Sequence, residues 1–272
     1  MEMVNIKING MPLSVPSGLS ILEAARYAGV EIPTLCYLKE INEIGACRMC
    51  MVEVKNARSL VAACVFPVNE GMEIFTNTDR VRNARKTTLQ LILSNHNRKC
   101  LSCVRSTNCE LQKLCKDYGI EDENAFAGEM INYEIDNTAT HMYRDNSKCI
   151  LCRRCVATCN KIQQIGAIGV SKRGMKSVVG VVYGKSLADT PCINCGQCIL
   201  ACPVGALTIH DDTEDAWKAI EDKNKVVAAQ VAPAVRVNIA EALGEEPGTI
   251  STGRLVTAMK YLGIDVVFDT DF

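Results

Sequence analysis

The sequence carries no surplus of charge of either sign: 30 basic side chains meet 31 acidic ones, for a formal net charge of −1. It lacks the basic excess of nucleic-acid binders and the polybasic flank of membrane-surface proteins, so neither nucleic acid nor membrane is an expected partner. Bound cofactors can shift that balance. No apolar run approaches the roughly 18 residues needed to cross a bilayer, and the opening MEMVNIKING has neither the positive nor the apolar region of a secretory leader. The cytoplasm is the expected location. Nucleotide signatures are missing as well, since no GxGxxG follows a strand and no P-loop occurs. At 272 residues, 48% hydrophobic and with a mean hydropathy of +0.06, the chain is long enough for two or more small domains and is no disordered tail.

What the chain has is cysteine. Its 16 cysteines demand either a disulfide framework or metal ligation. A cytosolic protein rarely keeps structural disulfides, and closely spaced C-x-x-C groups suit ligation better than long-range stapling. Cys36, Cys47, Cys50 and Cys64 form a first group, and Cys100, Cys103 and Cys109 follow His96 as a second. Cys149, Cys152, Cys155 and Cys159 make a third, and Cys192, Cys195, Cys198 and Cys202 a fourth, with Cys115 left over.

Around the first group, VNIKING and MPLSVPS read as strands joined at Asn9-Gly10, a two-residue hairpin signal. Ser20 and Glu23 have the spacing of a capping box at the head of SILEAARYAG, and Gly29 supplies a stop. Strand-like CMVEVKN, SLVAACVFPV and MEIFTN follow, so residues 1–78 predict a β-grasp domain with its cysteines in loops. Four loop thiolates can hold a 2Fe–2S core, two on each iron. Ten residues separate Cys36 from Cys47, where the plant-ferredoxin type has about four, so the site resembles the related ferredoxin domain at the head of large redox enzymes. A zinc site is the alternative, because two ligand pairs also satisfy a tetrahedral ion.

TDRVRNARKTTLQLILSNH predicts a helix with Val81, Ala84, Thr88, Leu91 and Ile92 near one face, delivering His96 at its C-terminal end. With Cys100, Cys103 and Cys109 the histidine completes four ligands for a 4Fe–4S cube. A neutral imidazole in place of a thiolate makes the cluster less negative and raises its potential, as in Rieske centres. Cys115 competes as fourth ligand; its other reading is a packed free thiol.

SKCILCRRCVATCN and TPCINCGQCILACP both carry C-x2-C-x2-C-x3-C, the second with Pro203 directly after Cys202, as in bacterial two-cluster ferredoxins. That likeness implies crossed ligation by Cys149, Cys152, Cys155 and Cys202 at one cube and by Cys192, Cys195, Cys198 and Cys159 at its neighbour, each fourth cysteine opening the following helix. Asn160 stands where proline is usual, and VVGVVYG reads as a strand inserted between the repeats. Lys148, Arg153 and Arg154 read as a solvated face beside these cysteines.

One 2Fe–2S site, one His-ligated 4Fe–4S site and two ferredoxin-type cubes in this order resemble the N-terminal accessory domains of iron-only hydrogenases. The first two sites are shared with the large subunit of respiratory NADH dehydrogenase, and the whole order with some NAD-linked formate dehydrogenases. After a short helix at TEDAWKAIED, strand, helix, helix and strand follow, and "APAVRV" and "VFDTDF" look like the opening of the hydrogenase catalytic domain. The resemblance implies an α+β multidomain protein: a β-grasp domain at 1–78, a small helical His-ligated domain at 79–138, a two-cube ferredoxin domain at 139–210, and a linker helix with the incomplete start of a catalytic domain at 211–272. It implies an electron relay between a hydrogen-converting cluster and ferredoxin or a flavin-containing NAD(P)H-oxidising iron–sulfur subunit in a hetero-oligomeric complex. The paired cubes are expected nearest the catalytic site. No cysteine follows Cys202, so this stretch is expected to carry electrons without a hydrogen-activating site and its strand–helix ending to have no partner sheet. The alternatives are a subunit of an NADH- or formate-dehydrogenase complex and a stand-alone polyferredoxin-like carrier.

Overall fold

Alternation of buried and exposed side chains shapes the first two strands, β1 (Met3–Ile8) and β2 (Met11–Pro16). They pair antiparallel across Asn9 and Gly10, whose φ values of 51° and 85° are the left-handed conformations that a two-residue hairpin turn requires. In the computed structural model, residues 2–126, 128–131, 133–181, 183 and 185–270 are described. The chain divides into two units, Met1–His210 and Asp211–Phe272.

Helix α1 (Ile21–Tyr27) opens on the expected capping box: the Ser20 hydroxyl accepts from the Glu23 amide, and the Glu23 carboxylate accepts from the Ser20 amide at 3.0 Å. Its Ile21, Leu22, Ala24 and Ala25 pack against Ile6, Val15, Val52 and Ile74. The sheet is completed by β3 (Met51–Val54), β4 (Val61–Ala62) and β5 (Glu73–Phe75) in the order β2-β1-β5-β3-β4. Within it, only β1 and β5 run parallel. SLVAACVFPV is mostly loop rather than the expected strand, because the chain turns after Ala62 to carry Cys64.

Helix α2 (Asp79–Leu93) starts at a Thr78 cap and buries Val81, Arg85, Leu89 and Leu93. This face is rotated from the predicted one, and Leu91 is exposed. The cause is Arg85, a buried cation whose guanidinium donates to the Met51 carbonyl at 2.7 Å and to the Tyr118 hydroxyl at 3.0 Å. Helix α3 (Glu110–Asp117) follows. Strand β6 (Met142–Arg144) then leads to α4 (Arg154–Ala157), which runs on into a π turn at Thr158–Ile162. The short strands β7 (Gly169–Ser171) and β8 (Val178–Gly180) pair with each other, ahead of α5 (Gln197–Ala201). Strand β9 (Leu207–Ile209) returns antiparallel to β6. Of VVGVVYG, Val182 and Gly184 lie outside the described residues.

The second unit contains α6 (Thr213–Glu221), β10 (Ala228–Val231), α7 (Pro233–Ala242), α8 (Thr252–Tyr261) and β11 (Val266–Asp269). Pro233 occupies the first helical turn, where its missing N–H is harmless. Contrary to expectation, this ending has a sheet of its own: β10 and β11 pair in parallel from Ala228↔Val266 to Val231↔Asp269, with two helices forming the crossover that parallel strands need. The last two residues of IDVVFDTDF lie outside the described residues. Among the described residues, no helix is long and apolar enough to cross a membrane.

Candidate metal centres

Cys36 follows α1, Cys47 and Cys50 precede β3, and Cys64 follows β4, so the sheet brings four loop cysteines together, each at most 9% exposed. Cys50 Sγ and Cys64 Sγ are 3.3 Å apart, and the Cys47 amide donates to Cys36 Sγ at 3.5 Å. Hydrogen bonds from Cys47 and Cys64 hold the Cys36 thiolate far below the usual thiol range, while those same contacts, and then burial, push Cys47 and Cys64 up. Such crowded buried sulfurs cannot all be anionic without a cation among them, which is what an iron core supplies.

His96 follows α2 directly, its amide donating to the Leu93 carbonyl. The ring is 8% exposed and its Nδ1 is buried without a partner. Burial pulls its pKa to about 4 against the opposing effect of a hydrogen bond to the Lys148 backbone, so the imidazole is neutral and has a lone pair to give. Cys100 begins a 3-10 turn that Cys103 closes, and Cys109 is the N-cap of α3. Burial, followed by the proximity of Cys109 and Cys103, pushes Cys100 up. Cys115 also stands near this group, pushed up to about 11 by burial and then by Cys109 and Cys100. Gly205 presses against it from the far end of the unit: a Cβ there would lie 2.6 Å from Cys103 Sγ.

The remaining eight cysteines divide between two cavities. One is lined by Cys159, Cys192, Cys195 and Cys198 together with His141; the other by Cys149, Cys152, Cys155 and Cys202 together with Arg144. Each cavity thus gathers three cysteines of one repeat and the fourth of the other. Where the sequence predicts that the fourth cysteines open helices, Cys159 lies inside the π turn that continues α4, and Cys202 is the C-cap of α5. Burial pushes Cys149 up to about 11 and Cys152 to about 12, and raises Cys155 and Cys202 as well, so without a cation these thiols stay protonated.

Several residues that tie these sites together escape sequence reasoning. Asn42, 2% exposed, donates through its side-chain amide both to the Cys36 carbonyl at 2.7 Å and to the Cys152 carbonyl at 3.0 Å. Arg105 donates to the Cys202 carbonyl at 3.2 Å, and the Glu110 amide to the Pro203 carbonyl at 3.1 Å. Arg154 is no part of a solvated face: it is 6% exposed and forms a two-pronged pair with Glu110 at 2.7 and 2.9 Å. Arg153 is exposed, as expected, and Lys148 pairs with Asp145 at 3.4 Å. Apart from the Lys148–Asp145 pair, these contacts join groups far apart in the chain, and no residue spacing announces them.

A sheet with a loop-borne cysteine quartet, a further cysteine group around the start of α3, and two cysteine-lined cavities are the features of iron–sulfur binding domains. Family profiles match the 2Fe–2S iron–sulfur cluster binding domain at residues 1–79 and the NADH-ubiquinone oxidoreductase-G iron–sulfur binding region at 85–124. They also match the ferredoxin-like domain of NADH-quinone oxidoreductase subunit 3 at 136–208 and the C-terminal domain of the iron-only hydrogenase large subunit at 225–272. The chain is 45% identical to the NADP-reducing hydrogenase subunit HndD of Solidesulfovibrio fructosivorans, over 100% of its own length and 47% of the relative's. It is 35% identical to iron hydrogenase 1 of Clostridium pasteurianum, over 99% of itself and 47% of that protein. The mitochondrial NADH-ubiquinone oxidoreductase 78 kDa subunit of Candida albicans is 33% identical over 75% of the chain and 28% of that protein. Among solved structures, an NAD+-reducing NiFe hydrogenase in the H2-reduced state superposes with a TM-score of 0.71 at 28% identity, covering 76% of this chain and 87% of that one. The chain therefore spans less than half the length of the hydrogenase relatives. It carries 2Fe–2S and 4Fe–4S binding domains of oxidoreductases, and the resemblance to iron-only hydrogenases holds.

Proposed function

We propose that these 272 residues are the electron-relay portion of an iron-only hydrogenase linked to ferredoxin or NAD(P). The observation that carries this reading is the match of residues 225–272 to the iron-only hydrogenase large subunit, directly after the iron–sulfur domains. The NADH-dehydrogenase relative from Candida covers less of the chain, 75% against the 99% of the Clostridium hydrogenase. In this reading 1–78 is a β-grasp domain, 79–138 the His-ligated domain, 139–210 the paired ferredoxin-type domain and 211–272 the linker helix and the start of a catalytic domain. Cys36, Cys47, Cys50 and Cys64 hold a 2Fe–2S cluster. His96, Cys100, Cys103 and Cys109 hold a 4Fe–4S cluster; the free Nδ1 of His96 favours it over Cys115. Two further cubes belong to Cys149, Cys152, Cys155 and Cys202, and to Cys192, Cys195, Cys198 and Cys159, the sets that line the two cavities.

When bound, the clusters supply one-electron redox chemistry. The chain's own part is to bury the thiolates, hold their loops at fixed separations and exclude water. A ferredoxin or a flavin-containing NAD(P)H-oxidising subunit, met in a cytoplasmic hetero-oligomer, is the external partner. The test is gas chromatography on two proteins: the 272-residue chain, and the same chain continued into a complete, matured hydrogenase C-terminal domain. The first should take electrons from dithionite and release no hydrogen, and the second should release it. A silent long protein would favour the dehydrogenase-subunit or carrier readings.

A further inference from the structure

The two cysteine-lined cavities differ in charge. No lysine or arginine lines the one that holds Cys159. Arg144 and Arg153 line the one that holds Cys202. Arg153 is exposed, where water and salt screen it. Arg144 is 9% exposed, and its Nε and Nη1 are buried with no hydrogen-bond partner. Its counter-charge is loose and lies elsewhere: Nη2 stands 3.7 Å from Asp136, which does not line the cavity.

Strand β8 holds the guanidinium in place. A Cβ on Gly180 would lie 2.2 Å from Nη1 and 2.6 Å from Cζ, so the side chain rests on bare backbone where any other residue would displace it. Of the other nearby cations, Arg154 is matched by Glu110 at 2.7 Å and Lys148 by Asp145 at 3.4 Å, while Arg105 spends a donor on the Cys202 carbonyl at 3.2 Å and does not line the cavity. A buried guanidinium with idle donors is unfavourable unless an anion faces it. A cube held by four thiolates is such an anion, and a fixed cation beside it favours the added electron.

We infer that Arg144, seated on Gly180, is an electrostatic positioning residue for the site of Cys149, Cys152, Cys155 and Cys202, setting it at a higher reduction potential than its neighbour. Of the paired sites, this one fills with an electron first. The inference rests on the ligand assignment of the preceding section.

EPR-monitored potentiometric titration of the anaerobically reconstituted 272-residue chain tests it, with the relevant signal identified by its loss in Cys202→Ser. In the wild-type chain this signal should develop at a higher potential than that of the neighbouring cube. Arg144→Gln should shift it alone to lower potential with iron retained, and Arg144→Lys should restore it. Gly180→Ala, which crowds the guanidinium out, should shift the same signal in the same direction, and it decides the matter if Arg144→Gln loses iron. An iron-replete Arg144→Gln with an unmoved signal, a uniform shift of all signals, or the reverse order of filling in the wild type overturns the role of Arg144. A wild-type chain that takes up no four-iron clusters overturns the ligand assignment and this inference with it.

Discussion

At the scale of single residues, the chain places unusual groups where ordinary ones would pack better. A neutral, buried imidazole with an orphan nitrogen is unfavourable in a plain core, and His96 is one. His96→Cys is expected to keep four irons at that site and to lower its potential, because an anionic thiolate opposes reduction; His96→Ala is expected to make the site labile. EPR-monitored titration separates the outcomes, and an intact site in His96→Ala together with an unchanged potential in His96→Cys would hand the ligand role to Cys115 or solvent. Gly205 is a second such residue. Its Cβ would lie 2.6 Å from Cys103 Sγ, so Gly205→Ala must displace either that thiol or the backbone around it. Thermal melts of the loaded protein should show a loss of about 1–3 kcal/mol, the usual range for overpacking, and iron analysis should show the His96 site depleted.

At the scale of elements, what was legible followed local rules. The Asn9-Gly10 hairpin and the Ser20–Glu23 capping box depend on a few neighbouring residues, and each forms as read. The face of α2 was not legible, because Arg85 looks like a surface residue until Met51 and Tyr118 arrive from other parts of the chain. Arg154 hid for the same reason. The cysteine groupings were plain from spacing alone, whereas Asn42, Arg105 and Arg144 had no pattern to reveal them. The Arg154–Glu110 pair joins α4 to α3, with the arginine side chain 7% and the glutamate side chain 43% exposed. Glu110→Gln should lower stability by about 1 kcal/mol, since solvent already screens the exposed partner. Urea titration of the variant beside the wild type measures this, and an unchanged midpoint would show the pair to be energetically idle.

At the scale of the whole molecule, the first unit is held by two cores, and both contain cysteine: Cys36, Cys152 and Cys202 pack among Leu89, Met142 and Leu207, and Cys50 and Cys64 among Ile8, Val52 and Ile74. The cysteines of the candidate sites and the apolar packing are thus one structure. One two-iron and three four-iron clusters should give about 14 iron atoms per chain. Anaerobic reconstitution followed by iron, zinc and acid-labile sulfide analysis checks the count; a zinc-dominated protein with little sulfide would rule out the relay. The bridge made by Asn42 also couples two distant loops. Its amide serves the Cys36 loop and a carbonyl 110 residues further along. Local opening of the Cys152 loop therefore leaves a buried amide with one of its two acceptors, so a disturbance of either loop is felt by the other.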